Sequence, residues 1–288
     1  MTTPPAAGVW LITPGHTPAR FTSARTAGAD VALVDLEDSV PPAAKPAART
    51  TVCAFFTQPD TPAGCTLGIR INALTTREAI QDLAALADYP VPPAIVLIPK
   101  VEAACDLDVV AAALDASGHR PLLYGLIETP QAVQNLPEIV RSEHLSGLLF
   151  GIADYARSVG ATRTWEPMLY ARSALVTHAA AAGIPVIDSP YFDLDDQDGL
   201  HAEAVRVRDL GFRGKSCVHP RQVATVASVF RPTPEQIAHA RAVVAAAEDA
   251  AGGIVRIGHQ MIGPPMVQDA RDLLARTPTD ETTAEVTP

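Results

Sequence analysis

Acidic side chains follow several of the short apolar segments of this sequence, and two basic side chains occupy the same kind of position. In each case the polar residue comes within a few positions of the end of a run rich in Val, Ile and Leu. The residues concerned are Glu37, Asp38, Arg70, Lys100, Glu102, Glu128, Asp154 and Asp188. If the runs are strands of one parallel sheet, these side chains collect at one edge. Several carboxylates there would repel one another unless a divalent cation neutralised some of them.

The residue types predict which cation such a site would hold. The sequence has no Cys or His pair with the spacing of a zinc site, so the expected ligands are oxygen atoms. Oxygen ligation favours Mg²⁺ ahead of Ca²⁺ or Mn²⁺. Glu128 and Asp154 follow neighbouring predicted strands, which lie about 4.8 Å apart in a sheet, and they are therefore the predicted metal ligands. Two carboxylates leave coordination positions for a 2-keto or 2-hydroxy acid, whose carbonyl the metal would polarise.

Arg70 is the candidate for substrate binding at this edge. Its planar fork can hold a carboxylate or an enolate oxygen with two hydrogen bonds. The alternative is a structural arginine that closes the ring of acids. Alternatives also exist for Asp38, Glu102 and Asp188, because each taken alone fits the first turn of a helix equally well.

The short apolar segments alternate with longer, Ala-rich segments of helical character, which is typical of a parallel sheet with connecting helices. The predicted strands are Val9–Thr13, Val31–Leu36, Leu67–Ile71, Ile95–Ile98, Leu122–Ile127, Leu148–Phe150, Pro185–Ile187 and Lys215–Val218. The predicted connecting helices lie near residues 18–28, 42–56, 76–87, 102–116, 131–141, 166–182, 196–210 and 221–229. Eight such units predict an α/β fold, a (β/α)8 TIM barrel, since no G-x-G-x-x-G follows the first strand to favour a doubly wound open sheet.

The barrel is predicted to span residues 9–230. Residues 231–276 then form a short C-terminal helical extension, with helices near 234–251 and 265–276. Residues 1–8 and 277–288 are polar or proline-rich and are predicted to be disordered.

The composition argues against several classes of partner. The 288 residues include 22 Lys and Arg against 32 Asp and Glu, a formal charge of −10. Nucleic acids and anionic membranes are bound by clustered basic residues, so we expect neither as a partner. No apolar run approaches the roughly 18 residues that span a bilayer, and the N-terminus lacks the features of a signal peptide. With four cysteines in no disulfide pattern, a cytoplasmic protein with reduced thiols is expected.

Eight segments of the chain, taken in order, carry a family pattern. They are DLEDSV (35–40), RINAL (70–74), IPKVE (98–102), LIETP (126–130), FGIADYA (150–156), AAGIPVIDSPY (181–191), LGFRGKSCVHPRQV (210–223) and FRPTPEQIAHAR (230–241). In these segments the chain resembles the citrate lyase beta subunit family, part of the HpcH/HpaI aldolase superfamily with malyl-CoA and citramalyl-CoA lyases as relatives. The resemblance implies a (β/α)8 barrel, Mg²⁺ dependence and a homotrimer or larger homo-oligomer such as a hexamer. It also implies reversible carbon–carbon cleavage of a 3-hydroxyacyl-CoA that bears a distal carboxylate.

The resemblance further implies roles for individual residues. Glu128 and Asp154 match the family's metal ligands, and Arg70 matches the residue that holds the substrate oxyanion or carboxylate. Glu37 and Asp38 match an acid pair that orients bound waters or a nearby lysine. The predicted catalytic set is Arg70, Glu37, Asp38 and Lys100.

The chain departs from the family pattern in two places. Gly263 stands where family members carry an Asp in a MIDxP-like motif, which in the lyases transfers a proton in a neighbouring subunit's site; a glycine has no group that can do so. Thr17 and Ser23 stand where the family has an Arg and a Lys, so fewer contacts to CoA are expected there. The predicted contacts to the substrate and its CoA carrier are Arg20, Arg25, Arg70 and Lys215.

The sequence leaves three functions open. The first is a Mg²⁺-dependent lyase or aldolase that cleaves or forms a malyl-, citramalyl- or citryl-like thioester through an enolate and a 2-keto acid. The second is hydrolysis of an acyl-CoA thioester on the same metal site. The third, prompted by Gly263, is a catalytically silent barrel that binds an acyl-CoA or a keto acid. The predicted cofactor is Mg²⁺, with Mn²⁺ as a substitute, and a CoA thioester is the predicted substrate carrier.

Overall fold

A computed structural model of the chain describes residues 8–59, 61–249 and 254–275. By their internal contacts these residues form two compact units, with the boundary after Phe230. The predicted disorder of residues 1–8 and 277–288 falls, apart from Gly8, outside the described residues.

The first unit is a closed barrel of eight parallel strands in the order β1 to β8, with β8 pairing back to β1. The strands are β1 Val9–Pro14, β2 Val31–Asp35, β3 Thr66–Arg70, β4 Ile95–Ile98, β5 Leu122–Ile127, β6 Leu145–Phe150, β7 Val186–Asp188 and β8 Gly214–Cys217. The helices around it are α1 Phe21–Thr26, α2 Lys45–Thr51, α3 Cys53–Thr57, α4 Arg77–Ala87, α5 Ala104–Asp115, α6 Pro130–Gln134, α7 Leu136–Ile139, α8 Ile152–Val159, α9 Trp165–Ala182, α10 Gln197–Leu210 and α11 Val223–Phe230. The predicted (β/α)8 barrel is confirmed.

Alternate strand residues point to opposite sides of the barrel wall, and they form two separate apolar clusters. The interior cluster contains Trp10, Val31, Leu33, Ile95, Leu97, Tyr124, Leu126, Leu149 and Ile187. The intervening strand residues, such as Val34 and Ile69, pack with the helices in a larger cluster outside the barrel. This alternation fixes which polar residues at the strand ends continue the interior face and which continue the outer face.

Glycines on the interior face make room for large side chains. The rings of Trp10 and Tyr124 pack edge to face with their centroids 4.8 Å apart. Gly147 on β6 lies beside Tyr124, and a Cβ atom at this position would come within 2.3 Å of the ring. The interior of the barrel is therefore filled with side chains and is a packed core, not a channel.

The local structure differs from the prediction in several elements. The predicted helix near residues 131–141, for instance, is two helices, α6 and α7, with Asn135 between them. The α8 helix was not predicted. It begins only two residues after β6 and has only eight residues, so no helical periodicity separates it from the strand segment in the sequence. The α4 helix begins after Thr76, whose hydroxyl accepts a hydrogen bond from the Ala79 amide.

The second unit contains α12 Pro234–Asp249, a two-stranded antiparallel hairpin of β9 Val255–Ile257 and β10 Gln260–Ile262, and α13 Pro264–Ala275. Its buried apolar residues are Ala240, Val243, Ala247, Ile262, Val267 and Ala270. Gly263 joins β10 to α13, and the nearest atom to a Cβ placed there would be Pro265 Cδ at 3.9 Å. The position has room for a side chain, so packing in this unit does not require glycine.

Among the helices of the described ranges, none combines the length and the hydropathy that a bilayer-spanning segment requires.

Candidate active site at the carboxyl ends of the strands

The ends of β2 and β3 bring an acid and a base together inside the barrel mouth. Asp35 and Arg70 are register partners on these strands. Arg70 donates from Nε to Asp35 Oδ1 at 2.6 Å and from Nη2 to Oδ2 at 2.7 Å, a two-pronged pair. Burial alone would raise the pKa of Asp35, but Arg70 and hydrogen bonds from Ser39 and the Glu37 amide hold it below the ordinary value. Asp35, which was not among the predicted site residues, is therefore the anchor of Arg70.

Glu37 lies two residues beyond Asp35 and is almost fully buried. Its Oε1 accepts a hydrogen bond from Lys100 Nζ at 2.8 Å. Its Oε2 lies 2.8 Å from Arg70 Nη1, close enough for an ion pair although the angle is poor for a hydrogen bond. Burial raises the pKa of Glu37, and the nearby charge of Asp38 adds to this effect. Asp38 itself is exposed and forms no ion pair within the described residues.

Glu128 continues the interior face of β5, in phase with Tyr124 and Leu126. Its carboxylate fits because Gly151, directly after β6, stands beside it: a Cβ there would come within 2.6 Å of Glu128 Oε2. Glu128 Oε1 accepts a hydrogen bond from the Lys100 backbone amide at 3.0 Å. Burial, together with the charges of Glu37 and Asp154, raises the pKa of Glu128 to about 8.

Asp154 reaches the same place from the first turn of α8. Its Oδ2 lies 3.7 Å from Lys100 Nζ, and its side chain keeps 27% of its surface exposed. Lys100 thus contacts Glu37, Glu128 and Asp154, through its ammonium and its backbone amide. Its backbone has φ of +53°, the left-handed region that side chains other than glycine seldom adopt. We call Asp35, Glu37, Arg70, Lys100, Glu128 and Asp154 the rim cluster.

The rim cluster fits a divalent cation in its charge and in its donor atoms. It contains four carboxyl groups and two cationic groups, so full ionisation would leave two negative charges in excess. Glu128 and Asp154 offer oxygen ligands, the type that Mg²⁺ prefers. Within the described residues no three acidic, histidine or cysteine side chains form a metal cage by themselves. Mg²⁺ in proteins is usually bound by one or two carboxylates, with water and substrate in the other positions, and Glu128 and Asp154 would supply such a pair.

The predicted CoA contacts are placed differently from one another. Arg20 is exposed, on the turn that follows β1 at the same end of the barrel. Arg25 is fully buried and donates to the Phe55 carbonyl oxygen and to Gln58, so the structure does not present it to a ligand. Lys215 is also fully buried, on the outer face of β8.

Lys215 belongs to a second charged group between the barrel wall and the helices. Its Nζ donates to Asp188 Oδ2, Glu203 Oε1 and the Ser189 carbonyl oxygen, each at 2.7 Å. Arg172 donates to both Asp188 oxygens, at 3.0 and 3.2 Å. All three protons of the Lys215 ammonium are used, which rules out the predicted contact to a CoA phosphate in this arrangement. We call Arg172, Asp188, Glu203 and Lys215 the buried cluster.

Most of the chain, including the whole barrel mouth described above, matches one known protein family. The family model described as HpcH/HpaI aldolase/citrate lyase matches residues 7–220. The chain belongs to the HpcH/HpaI aldolase/citrate lyase family. This confirms the resemblance that the eight sequence segments indicated.

Relatives in the family include lyases and a structure with bound ligands. The chain is 34% identical to the citrate lyase subunit beta of Escherichia coli (strain K12), over 92% of this chain and 91% of that protein. It is 33% identical to the L-malyl-CoA/beta-methylmalyl-CoA lyase of Rhodobacter capsulatus, over 83% of this chain and 84% of that protein. It is similar to the crystal structure of protein CitE from Mycobacterium tuberculosis in complex with magnesium, acetoacetate and coenzyme A. The TM-score is 0.78 at 31% identity, covering 95% of this chain and 99% of that one. The predicted enzyme class, a lyase of this family, agrees with these relatives.

Proposed function

We propose that this protein is a Mg²⁺-dependent carbon–carbon lyase or aldolase that cleaves or forms a 3-hydroxyacyl thioester with a distal carboxylate, such as a malyl-, citramalyl- or citryl-like thioester. The observation that carries the proposal is the convergence of Glu128 and Asp154 with Arg70 at the mouth of the barrel. The ligands of the M. tuberculosis relative, which are magnesium, a keto acid and coenzyme A, support the same class of substrate.

Arg70 is suited to hold an oxygen that gains negative charge. The guanidinium has five N–H donors, of which three face Asp35 and Glu37. The two that remain can bind a substrate carboxylate or enolate oxygen, and the paired acids fix the guanidinium before the substrate arrives. A donor that is positioned in advance costs no reorganisation during the reaction, and its removal commonly costs about 10²-fold in rate.

Glu128, Asp154 and Lys100 form the other side of the proposed site. Glu128 and Asp154 would hold the cation, and Mg²⁺, when bound, supplies Lewis-acid polarisation of a keto-acid carbonyl. Lys100 fixes the Glu128 carboxylate through its backbone amide. Its side chain is 38% exposed, so the ammonium stays within reach of an anionic substrate while it pairs with Glu37.

The acyl carrier is proposed to be CoA. Of Arg20, Arg25 and Lys215, the predicted contacts outside the rim cluster, Arg20 is the exposed one. Arg25 and Lys215 are buried. Of these three residues, Arg20 is therefore expected to make the main contact to a CoA phosphate. A homotrimer or hexamer is proposed as the oligomeric state, and light scattering on the purified protein checks it.

The activity test distinguishes the reaction classes by their products. The purified protein is incubated with Mg²⁺ and malyl-CoA or citramalyl-CoA, and released keto acid and free CoA thiol are measured in parallel. A lyase releases glyoxylate or pyruvate together with an intact acyl-CoA. Release of free thiol with the carbon skeleton whole would instead show a thioesterase.

Variants of the proposed ligands complete this test. Glu128→Gln and Asp154→Asn are expected to lose Mg²⁺-dependent turnover, whereas Asp115→Asn is expected to keep it. Asp115 is an exposed carboxylate at the end of α5, paired with Arg120 and outside the rim cluster. Metal-dependent turnover that survives in both ligand variants would contradict the proposed site.

Gly263 favours a second candidate, a barrel that binds a keto acid or acyl-CoA without turning it over. The position that carries an Asp in the family pattern has no titratable group here. Calorimetry that shows Mg²⁺-dependent binding of oxaloacetate or acetoacetate, with no product from any of the thioesters, would support this candidate over the lyase.

A further inference from the structure

Lys45 contacts the loop that carries Glu37 without reaching the barrel mouth. It is the first residue of α2, and its Nζ donates to the carbonyl oxygens of Leu36 and Glu37, each at 2.8 Å. A third hydrogen bond goes to Asn72 Oδ1. An ammonium has three protons, and all three are used within the protein. Lys45 therefore has no proton left to donate to a ligand.

Asn72 extends this contact to the loop that follows Arg70. Its backbone amide and its Nδ2 both donate to Asp82 Oδ2, at 2.8 and 2.7 Å. Asp82 is fully buried, and its other oxygen accepts from Arg49 Nε at 2.6 Å. The side-chain oxygen of Asn72 is thereby aimed at Lys45. A continuous buried network thus connects the loop after β2, the loop after β3 and the helices α2 and α4.

These two loops carry the two halves of one ion pair in the rim cluster. Glu37 follows β2, Arg70 ends β3, and their side chains meet at 2.8 Å. Lys45 holds the carbonyl oxygen of Glu37 itself and, through Asn72, the chain two residues beyond Arg70. Displacement of either backbone would move both charged groups relative to each other. Small displacements of this kind are costly in a site that works by preset geometry.

We propose that Lys45 is a positioning residue that sets the Glu37–Arg70 pair for substrate binding, with Asn72 as its partner. The inference rests on the proposed function for the identity of the ligand, a keto acid bound with Mg²⁺. Lys45 and Asn72 were not among the residues predicted from the sequence, and nothing in the lysine's immediate sequence, PAAKPAAR, distinguishes it from a helix surface residue.

The first test compares Lys45→Met with Arg49→Met. Both variants remove a cation of α2 from the same buried network, but only Lys45 contacts the loop carbonyls. Oxaloacetate affinity in the presence of Mg²⁺ is measured by calorimetry at a temperature where each variant is folded, as judged by its thermal unfolding. Lys45→Met is expected to weaken binding by about tenfold, the effect typical of groups that orient binding residues. Arg49→Met is expected to lower the unfolding temperature while binding stays within about twofold of the wild type. Equal losses of affinity in the two variants would show a merely structural role and overturn the proposal.

The second test does not depend on the ligand. Hydrogen exchange is followed at the amides of Leu36, Glu37, Ser39 and Val40, which are hydrogen-bonded in the structure. Faster exchange at these amides in Lys45→Met, but not in Arg49→Met, supports the positioning role. Unchanged exchange in Lys45→Met overturns it. If the wild type binds none of oxaloacetate, pyruvate and glyoxylate with Mg²⁺, the proposed function fails, and the exchange comparison still decides whether Lys45 sets this loop.

A double-variant cycle tests the assignment of Asn72 as the partner. If Lys45 and Asn72 act through one contact, Lys45→Met combined with Asn72→Ala loses no more oxaloacetate affinity than the more severe single variant. If the fold-losses of affinity in the two single variants multiply in the double variant, the pairing is overturned.

Discussion

The rim cluster and the buried cluster are assembled from the same residue types near the same ends of the strands, yet they face opposite sides of the barrel wall. Arg70 and Glu128 continue the interior face of their strands, whereas Asp188 and Lys215 continue the outer face, beneath α9 and α10. A difference of one residue in strand phase therefore separates a group at the open mouth from a group sealed by helices.

The two clusters also differ in charge balance and in access. The buried cluster has two acids and two bases, and both of its basic side chains are completely buried. One of them, Arg172, also stacks against Trp165, with the guanidinium 4.7 Å from the ring centroid. The rim cluster has four acids and two bases, and Lys100 and Asp154 remain partly exposed. A balanced, closed set of charges is costly to break because the remaining charge stays buried without a partner, whereas an accessible excess of one sign is suited to a ligand of the other sign.

The strongest test of this distinction is Asp188→Ala. The substitution leaves Arg172 and Lys215 buried with only Glu203 as an acidic partner. We expect the free energy of unfolding to fall by about 3–5 kcal/mol, the usual cost of breaking a buried ion pair. Urea denaturation measures this loss, and calorimetry on the folded fraction is expected to show unchanged Mg²⁺ affinity. A stability close to that of the wild type would contradict the structural role of the cluster.

Glu128→Gln is expected to behave in the opposite way. Turnover with Mg²⁺ should fall by at least about 10²-fold, because a proposed metal ligand is lost. The metal-free protein should become more stable at pH 7, because burial and two neighbouring carboxylates disfavour the charged form of Glu128. Steady-state assays and urea denaturation in chelator measure the two effects. A variant that loses stability and keeps turnover would reverse the roles assigned to the clusters.

Gly151→Ala tests whether the rim cluster depends on close packing. The new Cβ would lie 2.5 Å from Glu128 Cβ and 2.6 Å from its Oε2, so the carboxylate must move. A displacement of this size is expected to lower turnover by about ten- to a hundredfold. Gly125→Ala is the matched control on the adjacent strand, where the nearest atoms to a new Cβ are at 3.6 Å. Equal activity in the two variants would show that the Glu128 carboxylate can move without loss of turnover, and would contradict the dependence on close packing.

The strands and the phase of their residues could be predicted from the sequence. The eight strands were predictable because apolar runs such as Ile95–Ile98 are buried on both faces, and this run is flanked by prolines. Strand phase was equally readable: Tyr124, Leu126 and Glu128 share one face by their spacing of two. The same spacing separates Lys215 from the interior, since Gly214 and Ser216 lie in the other phase, and it would have removed Lys215 from the predicted CoA contacts.

Contacts between distant loops were not predictable in this way. Asp35 begins the DLEDSV segment, but its two-pronged pairing with Arg70 depends on the register between β2 and β3. Arg25 has the composition of a surface helix around it, and only the packing of α1 against Phe55 shows that it is buried. Such contacts are set by tertiary packing, which a single sequence does not encode in any local pattern.

The smallest expected effect concerns backbone strain at the rim. Among the described residues, Lys100 is the one non-glycine residue with positive φ. The left-handed conformation directs its amide to Glu128 while its ammonium reaches Glu37. Lys100→Gly and Lys100→Ala remove the same ammonium, so the difference between them isolates the backbone. The glycine variant should be more stable than the alanine variant by about 1 kcal/mol, measured by urea denaturation.

The control for this pair is Lys45, whose backbone is right-handed with φ of −57°. There the order should reverse, because glycine in a helical conformation is less stable than alanine by about 0.5–1 kcal/mol. The same order at both positions would show that Lys100 stores no strain. Opposite orders at the two positions would show that Lys100 holds its amide and its ammonium toward the rim cluster at a cost in stability. That cost is expected where a geometry is kept for binding and not for packing.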